Sequence, residues 1–115
     1  MTASRPSKHA ARDDLAERLR AVMSGRDVRE VAMFGGVAFM VDGRMAVSAG
    51  RDGDLLVRVD PARYPELLTI PGAHESFMGE RSMAPGWLAV DRSHLDGDDK
   101  LSFWVDVGLG PHDLD

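Results

Sequence analysis

The side chains of this 115-residue chain that could carry chemistry are four histidines (His9, His74, His94 and His112), nineteen Asp and Glu, and the hydroxyls of Ser76, Ser82, Ser93 and Ser102; there is no cysteine. Histidine and carboxylate together are metal-ligand types, and both occur in His74-Glu75 and in DRSHLDGDD (91–99). A metal motif usually announces itself by spacing, such as two histidines one helical turn apart or a Cys pair, and neither is found. DGDD also lacks the ligand series ending in Glu that an EF-hand loop needs. The acidic run therefore reads as a turn and a helix start. Nucleophilic catalysis needs a hydroxyl or thiol, a base and an orienting group in one place; the serines lie near acids and histidines only by the coincidences any short chain offers, and G-x-S-x-G does not occur. No cofactor is expected. An enzyme reading survives as an alternative, with a small-molecule or metal site in the 74–86 segment near His74, Glu80 and Arg81.

Phosphate chemistry would have to come from Gly35-Gly36 in MFGGVAFMVDGRM (33–45). Dinucleotide and Walker loops place their glycines ahead of a helix, whose N–H groups and dipole hold the phosphate. Here the glycines lead into an apolar strand. They read as a backbone joint, giving either an unusual φ or a close strand approach, with a positive φ expected at Gly36.

The positioning elements follow from periodicity. Leu15, Leu19, Val22 and Met23 form one stripe of an amphipathic helix over 13–23, with Gly25 placed to end it. Val28 to Phe34 is a lead-in segment. VAFMV (37–41), MAVSA (45–49) and LLVRV (55–59) are three antiparallel strands, joined first by Asp42-Gly43, a pair suited to the positive φ angles of a tight hairpin, and then by a looser glycine-bearing turn. Asp60-Pro61 starts a short helix that Pro65 and Pro71-Gly72 limit. ESFM (75–78) and WLAV (87–90) are two further strands around the loop GERSMAPG. Leu101, Trp104, Val105 and Gly108 mark a last helix, with Asp98 or Asp99 at its positive end.

The order is αβββαββα: a two-layer α+β domain with a five-stranded antiparallel sheet over residues 13–110, preceded by a flexible arm (1–12) and followed by a tail (111–115). One core is all that this length supports. No apolar run approaches the roughly 18 residues that span a bilayer, so no membrane contact is expected. The first residues lack the apolar stretch of a secretory signal, which with the absence of cysteine points to the cytoplasm.

The net charge of −5 argues against nucleic acid as a partner. Residues 1–30 alone are basic, seven Lys/Arg against five Asp/Glu. Weak DNA binding would therefore use Arg5, Lys8, Arg12, Arg18 and Arg20, whose simpler reading is a solvated helix face. Met33, Met40, Met45, Met78 and Met83 lie in or beside the sheet, where methionine fills gaps or forms adaptable binding surfaces. Trp87 and Trp104 read as core aromatics.

Met33-Phe34-Gly35-Gly36, Asp42-Gly43-Arg44-Met45, Leu56-Val57-Arg58-Val59, Pro71-Gly72, Met83, Gly86-Trp87 and Trp104-Val105, in this order, resemble the N-terminal domain of the TfoX/Sxy competence-regulator family. The resemblance implies a secretion-chaperone-like α+β fold. Full-length relatives regulate natural-transformation genes with the cyclic-AMP receptor protein and carry a second, helical C-terminal domain beyond the equivalent of these 115 residues. It carries over no catalytic residues. The function expected is a non-enzymatic interaction module with a protein partner in transcription control. A homodimer is expected as well, because the strands are apolar on both faces and two-layer folds cover only one. The rival is that the first and last helices take opposite faces. The expected interaction surface is Ala38, Met40, Leu56, Arg58 and Met83.

Overall fold

The computed structural model describes residues 10–33 and 35–113. Helices α1 (Ala10–Val22), α2 (Tyr64–Leu67) and α3 (Asp98–Asp113) accompany eight strands: β1 (Val28–Met33), β2 (Gly36–Val41), β3 (Arg44–Ala49), β4 (Leu55–Arg58), β5 (Ala73–Glu75), β6 (Phe77–Met78), β7 (Arg81–Ser82) and β8 (Trp87–Val90). Six of them form one antiparallel sheet in the order β1-β2-β3-β4-β8-β5, and β6 pairs with β7 in a separate hairpin.

This is the expected α+β layout with four corrections. The lead-in after α1 is edge strand β1, so the sheet has six strands and not five. ESFM does not form one strand; Glu75 ends β5 and Phe77 starts β6. The loop GERSMAPG contains β7. Residues 10–12 of the expected arm are the first turn of α1, and residues 111–113 of the expected tail continue α3. The rest of both segments, and Phe34, lie outside the described residues.

Local chemistry explains the joints. Asp42 (φ 53°) and Gly43 (φ 80°) both take positive φ and link β2 to β3 by two residues, the geometry of a type I′ turn, whose twist matches that of the strands. Asp60 accepts a hydrogen bond from the Ala62 N–H (3.0 Å) and caps the 3₁₀ turn Pro61–Arg63 that leads into α2. The glycine joint divides its labour. Gly35 takes the positive φ (78°), while Gly36 supplies the close approach: a Cβ there would stand 2.5 Å from the Ala49 carbonyl oxygen. The positive φ expected at Gly36 belongs to its neighbour.

Side chains alternate across a strand, so the register sorts the sheet into two faces. The row Phe39–Val47–Val57–Leu88 runs along one face, and all four are fully buried. Against it pack Leu15, Ala16, Leu19 and Met23 of the α1 region and Leu101, Trp104 and Val105 of α3. Both long helices therefore share one face. Gly108 lets α3 settle on β3, since a Cβ there would come 2.6 Å from the Ala46 carbonyl oxygen. Arg20 fastens α1 to β1 with two hydrogen bonds to the Glu30 carboxylate (2.7 and 2.8 Å). Those bonds, more than the guanidinium charge, hold the Glu30 carboxyl below its usual range against the opposing effect of burial.

Three tests follow from this packing. Gly36→Ala should destabilise by about 1–3 kcal/mol, because backbone rather than a flexible side chain must yield; unchanged stability in denaturant melts would refute the close approach. Trp104, 2% exposed and edge-on to Phe103 with ring centroids 5.1 Å apart, should cost about 3–5 kcal/mol on truncation to alanine. The lowered Glu30 pKa adds stability that is present above the unfolded carboxylate value and disappears as pH falls through the folded one. The effect is modest because the pair is solvent-exposed. Glu30→Gln should accordingly flatten the loss of stability between about pH 5 and pH 3, and an unaltered acid limb would exclude the linkage.

Candidate functional site: a methionine-lined cleft on the open sheet face

The opposite face carries the row Val31–Ala38–Ser48–Leu56–Ala89–His74 across all six strands. Among the described residues no long helix covers it. The β6–β7 hairpin arches over part of it instead and encloses a cleft of about 610 Å³. Met33, Met45, Ser48, Leu56 and Ala89 form the sheet side, and Ser76, Phe77, Met78, Gly79 and Met83 the hairpin side. Phe77 (56% exposed) and Met78 (50%) leave much of their surface in water. This is an unusual place for large apolar side chains unless something is held there.

The hairpin's base is fixed by short bonds. The Met83 N–H donates to the Ser76 carbonyl (2.9 Å), and the Ser76 hydroxyl donates to Met83 Sδ (3.4 Å), which keeps the Met83 thioether in the cleft. The Ser82 hydroxyl donates to Glu75, and the Ala84 N–H donates to Ser82 Oγ (3.1 Å). At the far rim Gly35 makes room for Arg51: a Cβ on Gly35 would meet the guanidinium Nε at 2.9 Å. Gly35-Gly36 thus shapes one wall of the cleft as well as starting a strand.

The cleft is poorly equipped for catalysis. Its two hydroxyls are committed, Ser48 to the Val37 carbonyl (3.2 Å) and Ser76 to the Met83 sulfur. Its charged lining residues are Arg51 and Asp54, and Asp54 Oδ1 accepts the Arg92 N–H (3.0 Å). Around the 74–86 segment, His74 Nε2 lies 2.9 Å from Asp91 Oδ1, while Ser82 engages Glu75. Nucleophile and imidazole are in separate pairs, so no triad forms among these residues. Glu80 and Arg81 are exposed at the hairpin turn.

The structure gathers Met33, Gly35, Gly36, Met45, Leu56, Ser76, Met78 and Met83 at the cleft. Asp42 and Gly43 sit in the β2–β3 turn, and Trp104 is in the helix-side core. Trp87 is not a core aromatic: it is half-buried on the open face, opposite Arg58 across β4 and β8. Met40 is half-buried on that face and does not line the cleft. Ala38 is fully buried and offers no contact surface. Among the cations considered for DNA, Arg12 bonds Asp13 and the Gly35 carbonyl, Arg18 reaches Asp98 at 3.6 Å, and Arg20 holds Glu30. Arg5 and Lys8 lie outside the described residues. Sequence reading named Met78 among the methionines beside the sheet but missed the hairpin roof that carries it and Phe77, and it also missed Arg51. The only signal for that roof was the density of glycine and serine around Met78 and Met83.

Among the described residues no helix is long and apolar enough to cross a membrane. No curated protein and no solved structure matches the chain significantly. One family model does, that of the TfoX N-terminal domain, over residues 20–110. The match takes in the glycine joint, the whole six-stranded sheet, the hairpin roof and most of α3, and the chain belongs to the TfoX N-terminal domain family.

Proposed function

We propose that this domain is a non-enzymatic protein-interaction module of the TfoX type, acting in the cytoplasm in transcription control. In this reading it meets its partner through the open face of the sheet. The observation that carries the proposal is the cleft itself: four methionines and Phe77 around an opening in which every hydroxyl is already spent on the protein's own bonds. Unbranched thioether side chains re-pack at little cost, which suits a surface that must fit another protein's apolar side chains. The family adds a competence-regulator context without specifying a molecular activity.

A second copy of the chain is the first occupant proposed for this face, because twofold pairing is the commonest way to cover an apolar patch. Light scattering at about 100 μM, where any dimer of micromolar dissociation constant is populated, should return a dimer mass. Phe77→Asp combined with Met78→Asp should give a monomer that keeps the wild-type circular-dichroism spectrum, since both side chains are exposed. A monomeric wild-type protein would overturn self-association, as would a double variant that remains dimeric.

A further inference from the structure

At one end of the open face, three ligand-type side chains from distant parts of the sequence converge. Asp54 precedes β4, His74 lies on β5 and Asp91 follows β8; one ligand atom from each lies within 4.8 Å of the other two. The strand order β4-β8-β5 makes these neighbours. Leu55 pairs with Val90, which sets Asp54 and Asp91 beside each other at the strand ends, and the Asp91 N–H is tied to the Gly72 carbonyl (2.9 Å) two residues before His74.

The hydrogen bonds of His74 do not balance for a neutral ring. Nδ1 lies 3.1 Å from the Glu75 carbonyl oxygen, and Nε2 lies 2.9 Å from Asp91 Oδ1. Both partners only accept, whereas a neutral imidazole has one N–H to give. With the proton on Nδ1, the Nε2 lone pair faces the Asp91 carboxylate, the arrangement of two ligands about a shared ion. Asp54 brings a second carboxylate to the same point. Its Oδ1 is held by the Arg92 N–H at 3.0 Å, and its other oxygen has no donor among the described residues. The Nδ1–carbonyl contact is the outer bond that orients a metal-binding histidine.

We propose that Asp54, His74 and Asp91 form a binding site for a divalent first-row transition ion. One imidazole nitrogen and two carboxylates suit Zn²⁺, Mn²⁺ or Co²⁺ rather than a soft ion that demands thiolates. Such an ion would clamp the ends of β4, β8 and β5. Because Asp54 also lines the methionine cleft, the ion would stand at the cleft's end with its remaining positions open to solvent or to a bound group.

The 115-residue chain, stripped with chelator, is titrated with Zn²⁺ by calorimetry and with Co²⁺ by visible absorption. One ion per chain is expected. His74→Ala and Asp91→Asn should each weaken binding at least tenfold, about the least that loss of a direct ligand brings when outer partners alone cost 10–100-fold. His94→Gln should leave it unchanged. Both ligand side chains are about half exposed, so these variants should fold, and circular dichroism checks that they do. The proposal is overturned if neither ion binds, or if affinity is the same in His74→Ala and Asp91→Asn as in the wild type. It is overturned equally if nitrogen-detected NMR finds His74 protonated on both nitrogens and unmoved by Zn²⁺.

Discussion

The two long helices both lie on one side of the six-stranded sheet, and most of the domain's other properties follow from that. A sheet buries one face cheaply when helices pack on it, and here the row through Phe39, Val47, Val57 and Leu88 is completely enclosed. The contact is close because the crowded point lacks a side chain: Gly108 brings the α3 backbone against the Ala46 carbonyl. A helix seated so tightly over β3 and β4 cannot also shield the far face. That face is left to a six-residue hairpin, residues 77–82.

The far face copes with this by varying the size of its side chains. Ala38 and Ser48 are small and sink below their neighbours, 0% and 7% exposed, so part of the uncovered face is closed by crowding alone. Larger residues, Met33, Met45 and Leu56, rise around them and form walls. The hairpin supplies the opposite wall but buries neither Phe77 nor Met78. A monomer gains nothing from that exposure, because each large apolar side chain left in water forgoes about 1.5–3 kcal/mol of burial.

How much of this was legible in the sequence depended on whether a signal was local. The type I′ turn at Asp42-Gly43 and the cap at Asp60 are written in adjacent residues and emerged as expected. So did the helix stripes, whose period survives because each helix buries one side. β1 was obscured because Arg29, Glu30 and Ala32 are exposed on an edge strand, which dilutes the apolar alternation. The hairpin strands have two residues each, too few for any period, and their glycines and Pro85 resemble an ordinary loop. Five methionines near the sheet were visible in the sequence, but which of them share a cleft depends on register; Met40 and Met45 pair across β2 and β3 next to a bulge, and only Met45 lines the opening.

The convergence of Asp54, His74 and Asp91 was illegible for a related reason. Metal motifs are readable when one helix or loop holds several ligands, since the spacing then records the geometry. These residues are brought together by strand order, and β8 inserts between β4 and β5 although it follows both in sequence. The same topology that places β8 centrally puts Asp54 at the mouth of the cleft and His74 on the outer strand. The apolar cleft and the polar cluster are therefore two ends of one surface. A group bound along the open face would have apolar contacts at the methionines and Phe77, and a charged contact at Asp54. Specificity on such a surface rests with the polar end, because a charge left unpaired there costs more than an imperfect fit among thioethers.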